Sequence, residues 1–293
     1  TIAFNLADGN KFAMVSSFTS SDPQTQTAEF NVTFPMPNQW DFTFDANTDE
    51  QAIQAFNEYN AKFDNKFTLL PEKAYKFNGK GISFPKDATS MSLSVTIDAS
   101  KLSCGEYILP LHLCNLSNKN FETDTQNDIV LLGVKYVPKK LDLKVSQLST
   151  NSVEDGDGTG LSGLIDGDLE GTGYFHSKWS APVQDAVYGN YIDLNIGKTL
   201  HSLSFDYWTR KQNGNGAPRF ISLFVSDDGS IWRKLQDINK GLPGSGNTKY
   251  SSAIFTDEEG FSYVRFAVLV SAAGDMTNSA SYFNLHELTF YGE

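Results

Sequence analysis

A chain of 293 residues that is 40% hydrophobic, 13% aromatic and only 20% charged has ample core material, which excludes a disulfide-stapled miniprotein and a disordered tail. At roughly 100–200 residues per domain, this length favours two domains. The net charge of −12 is spread over both halves, so neither carries the basic patch that nucleic acid or an anionic membrane surface requires.

The chain opens at Thr1 with neither a Met nor a leader, which reads as a processed product. No apolar run reaches the ~18 residues of a membrane helix. Period-two alternation bounded by Asn, Gly, Asp and Ser predicts strands over 27–34, 90–97, 107–113 and 129–137. A helix over 49–63 interrupts them, because Ile53, Phe56, Tyr59 or Asn60, and Phe63 recur at helical spacing. Thr48 with Gln51 reads as its capping box, and Pro71 bars helix from the residue before it. Pro110 inside a strand pattern predicts an edge or a bulge, while Leu69, Leu70 and Tyr75 are expected to pack the helix onto a sandwich. Cys104 and Cys114 flank the strand 107–113. Ten extended steps separate them by about 33 Å, too far for a disulfide, so both are expected as reduced thiols.

Pro138-Lys139-Lys140 marks the boundary between a first domain, 1–138, and a second, 141–293. Strands are predicted in the second over 200–208, 220–226, 264–270 and 285–291. Every arginine (Arg210, Arg219, Arg233, Arg265) and three of the four Trp lie there. Planar donors and rings suited to recognition are therefore concentrated in the second domain.

Catalytic signatures are missing from the sequence. Gly197-Lys198-Thr199 ends like a phosphate loop, but Ile192 stands where its first Gly belongs. Gly160 to Gly163 fails the spacing of a nucleophile elbow, and His112, His176, His201 and His286 are too scattered for a metal pair. A glycosidase needs two carboxylates on one cleft, and nothing isolates such a pair. Asp155, Asp157, Thr159 and Asp166 mimic a calcium loop but lack its closing Glu and flanking helices, and read as a solvated turn. The Gly-punctuated segment 164–177, LIDGDLEGTGYFHS, is a better oxygen-ligand cluster for a hard cation, with calcium the natural choice.

That segment resembles the I-D-G-D-x-x-T-x-W-H-S signature of coagulation factor V/VIII type C, or discoidin-like, domains, which include carbohydrate-binding module family 32. The resemblance continues through 190–197 (NYIDLNIG), 205–210 (FDYWTR), 225–232 (VSDDGSIW) and 285–292 (LHELTFYG), five motifs in order across 141–293. It implies a jelly roll with a structural calcium on Asp166, Thr172 and Glu287, with carbonyls from Gly163 and Leu169. One residue is inserted before Thr172, and Phe175 replaces the family's Trp. In the first domain, 56–60 (FNEYN), 67–75 (FTLLPEKAY) and 107–111 (YILPL) resemble the marks of a domain of unknown function at the N-terminus of Bacteroides-type surface lipoproteins. That domain precedes glycan-binding or glycosidase modules, so a spacer role is expected for it here.

A sugar offers an apolar C–H face and several hydroxyls, so its site needs an exposed ring with polar groups converging on it. Tyr174, His176, Trp179, Trp208, Arg210, Asn213, Asn215 and Tyr282 fall at predicted strand ends or loops and are the candidate ligand contacts. Trp232 and Phe175 are expected in the core, and Arg219 and Arg265 in internal ion pairs. The fold expected is all-β: two tandem sandwiches, an immunoglobulin-like domain with one helix and then a discoidin-like, galactose-binding-like jelly roll. The function expected is non-catalytic capture of a glycan or oligosaccharide at the cell surface, with calcium bracing the loops. The parent protein is expected to be an outer-membrane lipoprotein of polysaccharide utilization, touching the membrane only through a lipid anchor and working beside other surface glycan-utilization proteins. The rival readings are a protein-binding adhesin and a glycoside hydrolase or an accessory part of one.

Overall fold

The computed structural model describes residues 1–6, 10–181, 185–275 and 281–293. The protein is all-β, with strands over 47% of the described residues and one α-helix among them, and it divides into two compact units, Thr1–Val137 and Pro138–Glu293. Among the described residues no helix is long and apolar enough to cross a membrane.

The first unit is an immunoglobulin-like sandwich built on β1 (Phe12–Phe18), β2 (Thr25–Thr33), β3 (Phe42–Asn47), β4 (Ser90–Asp98), β5 (Gly105–Cys114) and β6 (Ile129–Tyr136), with one helix, α1 (Glu50–Ala61). One sheet has the order Ala3–Phe4, β2, β4, Tyr75–Lys76; the other runs β1, β6, β5, β3, Ile82–Phe84. Alternation buries Leu93, Val95 and Ile97 of β4, and Phe34 at the end of β2 meets Phe42 and Phe84 of the other sheet at 5.8 and 6.0 Å. β5 is buried on both faces from Ile108 to Leu113, because its second face carries α1. Phe56 and Phe67 close over Ile108, Ile129 and Leu131, each ring withdrawing apolar area worth ~1.5–3 kcal/mol.

The helix N-cap is Asp49, whose Oδ1 accepts from Ala52 N at 3.0 Å; Thr48 instead donates its hydroxyl to Pro110 O at 2.7 Å. Pro110 lies at neither an edge nor a bulge, since β5 pairs with β6 from Gly105 to His112 without a register shift. Leu113 N donates to Asp128 O, so the backbone of Pro110 turns to the other flank. There β5 changes partner, from Thr68–Leu69 to β3, and the missing N–H breaks no ladder. Leu69 does not pack the helix and is 37% exposed. Asn60 pins the segment after α1, donating to Phe67 O and accepting from Phe67 N at 2.9 Å each. The two cysteines form no disulfide.

The second unit is a jelly roll built on β7 (Asn190–Thr209), β8 (Pro218–Ser226), β9 (Arg233–Ile238), β10 (Phe255–Ser271) and β11 (Asn284–Gly292). β7 and β10 are 20 and 17 residues long, well beyond the predicted segments. The length has a structural reason. β7 pairs with β10 from Asn190 to Leu203, with register shifts after Asn195 and Leu200, and pairs with β11 from Leu203 onward, so one strand serves both layers. Gly260 allows the bend in β10: its φ is +83°, and a Cβ there would lie 2.7 Å from Thr199 and 2.8 Å from His201. Phe205, Tyr207, Phe266 and Phe290 fill the space between the layers, Phe205 meeting Phe266 edge-on at 5.2 Å. Phe175 is fully buried, as expected of core, whereas Trp232 is half-buried with its ring 4.2 Å from the Arg265 guanidinium. Arg265 forms the internal ion pair, with Asp193.

Candidate functional site

At one end of the jelly roll, Asp157, His176, Trp179, Arg210, Asn215 and Tyr282 line a cleft of about 240 Å³. Its foundation is the short strand Phe175–His176, which pairs with Asn284–Leu285 of β11. The loop before it is laced to the same strand: Glu154 N donates to His176 O, and Thr159 N to Tyr174 O, both at 2.9 Å. Gly158 permits this approach, because a Cβ there would sit 2.3 Å from Tyr174 O.

The lacing delivers Asp157 to the centre of the site. Oδ1 accepts from the Tyr174 hydroxyl and Oδ2 accepts from Trp179 Nε1 at 3.0 Å, with Arg210 Nη2 and His176 Nε2 each 3.9 Å away. Burial works against the Asp157 charge, but the Tyr174 and Trp179 hydrogen bonds outweigh it and hold the carboxyl below its ordinary range. Trp179 is 51% exposed, yet it is fixed at both ends. Its indole is held by Asp157, and its backbone N donates to Glu154 Oε2 at 2.8 Å. An immobilised exposed ring has already lost the freedom that binding would otherwise remove.

Arg210 lies over the Tyr174 ring, its guanidinium carbon 4.1 Å from the ring centroid, and donates to the Tyr174 hydroxyl at 2.8 Å. His176 is 2% exposed; Nδ1 meets Ser177 O at 2.7 Å and Nε2 lies 3.3 Å from Asn284 Nδ2. Burial pushes its imidazole below the ordinary value, so the ring is neutral at neutral pH. With Nδ1 donating to Ser177, Nε2 accepts from Asn284, whose amide also donates to Asn215 Oδ1 at 3.1 Å. The result is a concave surface with one fixed ring, one guanidinium, one carboxylate and amide groups within a few ångströms.

The structure brings His176, Trp179, Arg210, Asn215 and Tyr282 together and places Tyr174 beneath them, 8% exposed, where it holds Arg210 and Asp157. It does not bring Trp208 or Asn213 to the cleft. Trp208 registers against Glu287 and Lys249, and a register shift after it turns the chain, so Arg210 leaves the face that Trp208 occupies. Asn213 accepts from Asn215 N at 3.1 Å and shapes the turn. Asp157, which its sequence context places in a solvated turn, is instead the hub of the site. Its contacts lie 17 and 22 residues away in sequence, and no local pattern signals them.

Of the residues assigned to a cation, Asp166 and Glu287 meet. Glu287 is 6% exposed and accepts from Gly167 N at 2.8 Å. Burial, with the Asp166 carboxyl alongside, pushes its carboxyl up to about 8. Two carboxyl groups forced together with one of them buried suit a proton or a hard cation, so the pair fits calcium. Thr172 is exposed, and no hydrogen bond among the described residues joins it, Gly163 or Leu169 to the pair. A wider groove of about 920 Å³ on the first unit, past Tyr75, Phe77 and Lys80, holds no ion pair among the described residues.

A family model described as a "-like, N-terminal domain" matches residues 1–120. No curated protein matches the chain. Among solved structures, CpGH89CBM32-5 from Clostridium perfringens, in complex with GalNAc-β-1,3-galactose, is similar at 20% identity and TM-score 0.41, over 52% of this chain and 99% of that one. The family 32 module of Clostridium perfringens NanJ, in complex with galactose, is similar at 18% identity and TM-score 0.38, over 53% of this chain and 99% of that one. A two-domain protein of unknown function from Bacteroides fragilis is similar at 13% identity and TM-score 0.38, over 99% of this chain and 93% of that one. The neighbours in structure are thus family 32 carbohydrate-binding modules and a two-domain Bacteroides protein.

Proposed function

We propose that this is a non-catalytic glycan-binding protein of the bacterial surface whose second unit captures a saccharide in the cleft around Asp157. The carrying observation is the fixed, half-exposed Trp179 ring standing over convergent polar groups from Arg210, Asp157 and Asn215. The ring offers an apolar platform to the C–H face of a sugar, and the donors and acceptors fix its hydroxyls. One small cleft buries few atoms, so binding is weak at a single site and gains from many copies on one surface. Calcium, held by Asp166 and Glu287, braces the loop before Phe175 without touching the sugar. The first unit acts as the spacer, and a lipid anchor on the parent protein holds both at the outer membrane beside other glycan-utilization proteins.

A glycan array with and without chelator tests the reading, its panel including galactose, GalNAc and mannuronic acid termini because neighbouring modules are solved with galactose, with GalNAc-β-1,3-galactose and with 4,5-unsaturated mannuronic acid. Arg210→Ala is expected to lose retention while Trp208→Ala keeps it, since Trp208 lies outside the cleft. Retention by both variants, or release of reducing sugar by the wild type, would overturn the proposal. Binding to host proteins with no response to any glycan favours the adhesin.

A further inference from the structure

A second cluster of ligand-type side chains lies in the first unit, apart from the cleft. The two-residue period of a strand sets His112 and Cys114 on one face of β5. The N-cap of α1 arrives at the same place: Asp49 Oδ2 is 2.7 Å from His112 Nδ1. One donor atom each from Asp49, His112 and Cys114 lies within 4.8 Å of the others, the one such trio of His, Cys, Asp and Glu donors among the described residues.

Three features make this more than a chance gathering. First, the two oxygens of Asp49 divide their work, Oδ1 capping α1 at Ala52 N and Oδ2 facing His112, so a ligand at Oδ2 leaves the cap intact. Second, His112 has a carboxylate at each ring nitrogen, because Nε2 lies 3.7 Å from Asp128 Oδ2. Asp128 is 6% exposed and receives the Thr123 hydroxyl at 3.3 Å. A carboxylate on that side of an imidazole favours a proton on Nε2, which leaves Nδ1 as the nitrogen for a metal. Third, Asn47 Nδ2 lies 3.7 Å from Cys114 Sγ and 3.5 Å from Asp45 Oδ2, so a further negative group stands beside the thiol.

We propose that Asp49 Oδ2, His112 Nδ1 and Cys114 Sγ bind a zinc-class divalent cation. A donor set of one thiolate, one imidazole and one carboxylate suits zinc, whereas calcium and magnesium take oxygen ligands. Tetrahedral zinc with bonds of about 2.0–2.3 Å separates its ligand atoms by roughly 3.2–3.7 Å. The 2.7 Å contact must open and separations of up to 4.8 Å within the trio must close, each by about an ångström or less, and the Asp49 side chain, 36% exposed, has room to move. On binding, the Cys114 S–H proton passes to solvent, His112 coordinates as the neutral imidazole with its one proton on Nε2, the nitrogen facing Asp128, and water takes the fourth position. The ion ties the start of α1 to a central strand of the sandwich.

Cobalt(II) titration of the whole, metal-stripped protein tests this, under a thiol-free reductant and with saturating calcium to occupy Asp166 and Glu287. The expected result is one equivalent bound, with the visible bands of tetrahedral cobalt, a thiolate-to-cobalt charge-transfer band, and displacement by zinc. Cys114→Ser is expected to abolish the charge-transfer band. Asp49→Asn keeps the cap, because Asn is as good an N-cap as Asp, and is expected to weaken zinc binding about tenfold or more. The proposal is overturned if no charge-transfer band forms, if the band survives in Cys114→Ser, or if zinc affinity is unchanged in Asp49→Asn.

Discussion

Asp157→Asn probes the site most sharply, because it removes one charge and changes almost no volume. The carboxylate accepts two hydrogen bonds on different oxygens, from Tyr174 and from Trp179 Nε1. An amide has one acceptor oxygen, so one donor must face an N–H2 group. The oxygen is expected to stay with Tyr174, which is 8% exposed, and the amide nitrogen to turn toward the half-exposed Trp179. Losing a charge-assisted bond is worth about 1.5–3 kcal/mol when buried, and exposure of the indole reduces this to roughly 1–2 kcal/mol. For a unit of this size that lowers the melting temperature by about 2–8 °C in calorimetry. The Trp179 ring is then free to rotate, and re-ordering it on binding is expected to weaken glycan affinity about tenfold, equivalent to ~1.4 kcal/mol. Calorimetry and titration with a glycan retained by the wild type measure both effects. An Asp157→Asn protein that melts with the wild type and binds within twofold of it would refute the assignment of Asp157 as the hub.

Other consequences follow from the packing. Arg265 donates to both oxygens of Asp193 at 2.7 and 2.8 Å among the rings of Tyr191, Trp232 and Tyr188 and is 7% exposed. Asp193→Ala leaves that guanidinium unpaired and is expected to cost about 3–5 kcal/mol in urea unfolding, with Asp193→Ala/Arg265→Met less damaging than the single change. Asn60→Ala strips two hydrogen bonds from the buried backbone of Phe67 and is expected to destabilise the first unit by about 2–4 kcal/mol in the same assay. For Asp206, burial opposes the charge, but hydrogen bonds from Lys249, Ser251 and Tyr291 prevail and hold the carboxyl below its ordinary range. Its contribution is therefore complete above the unfolded value of about 3.9 and is lost as pH falls through the depressed one. Asp206→Asn is expected to melt with a smaller drop than wild type between pH 5 and pH 2, and parallel curves would count against this.

Much of the architecture is written locally. Alternation in segments such as 90–97 and 129–137 specifies strands because one face of each must be buried, and Ile53, Phe56 and Asn60 specify the helix by their spacing. The cap lies one residue beyond the capping box the sequence suggests: Thr48 and Asp49 both offer an acceptor, and only the approach of β5 assigns Thr48 to Pro110 and leaves Asp49 at the cap. The lengths of β7 and β10 were also hidden, since a strand that passes between two layers changes which of its faces is buried.

The amino-acid order alone determined the all-β class, the single helix and the residue types available at the loop end of the second unit. Which of those residues meet was decided by tertiary structure. A register shift at the end of β7 separates Trp208 from Arg210, and the pairing of the loop around Asp157 with Tyr174 to His176 sets a carboxylate between an indole and a guanidinium. Side-chain type and strand period are local properties of the chain, whereas convergence of groups 17 to 53 positions apart depends on how the layers close, and the sequence records that only after folding.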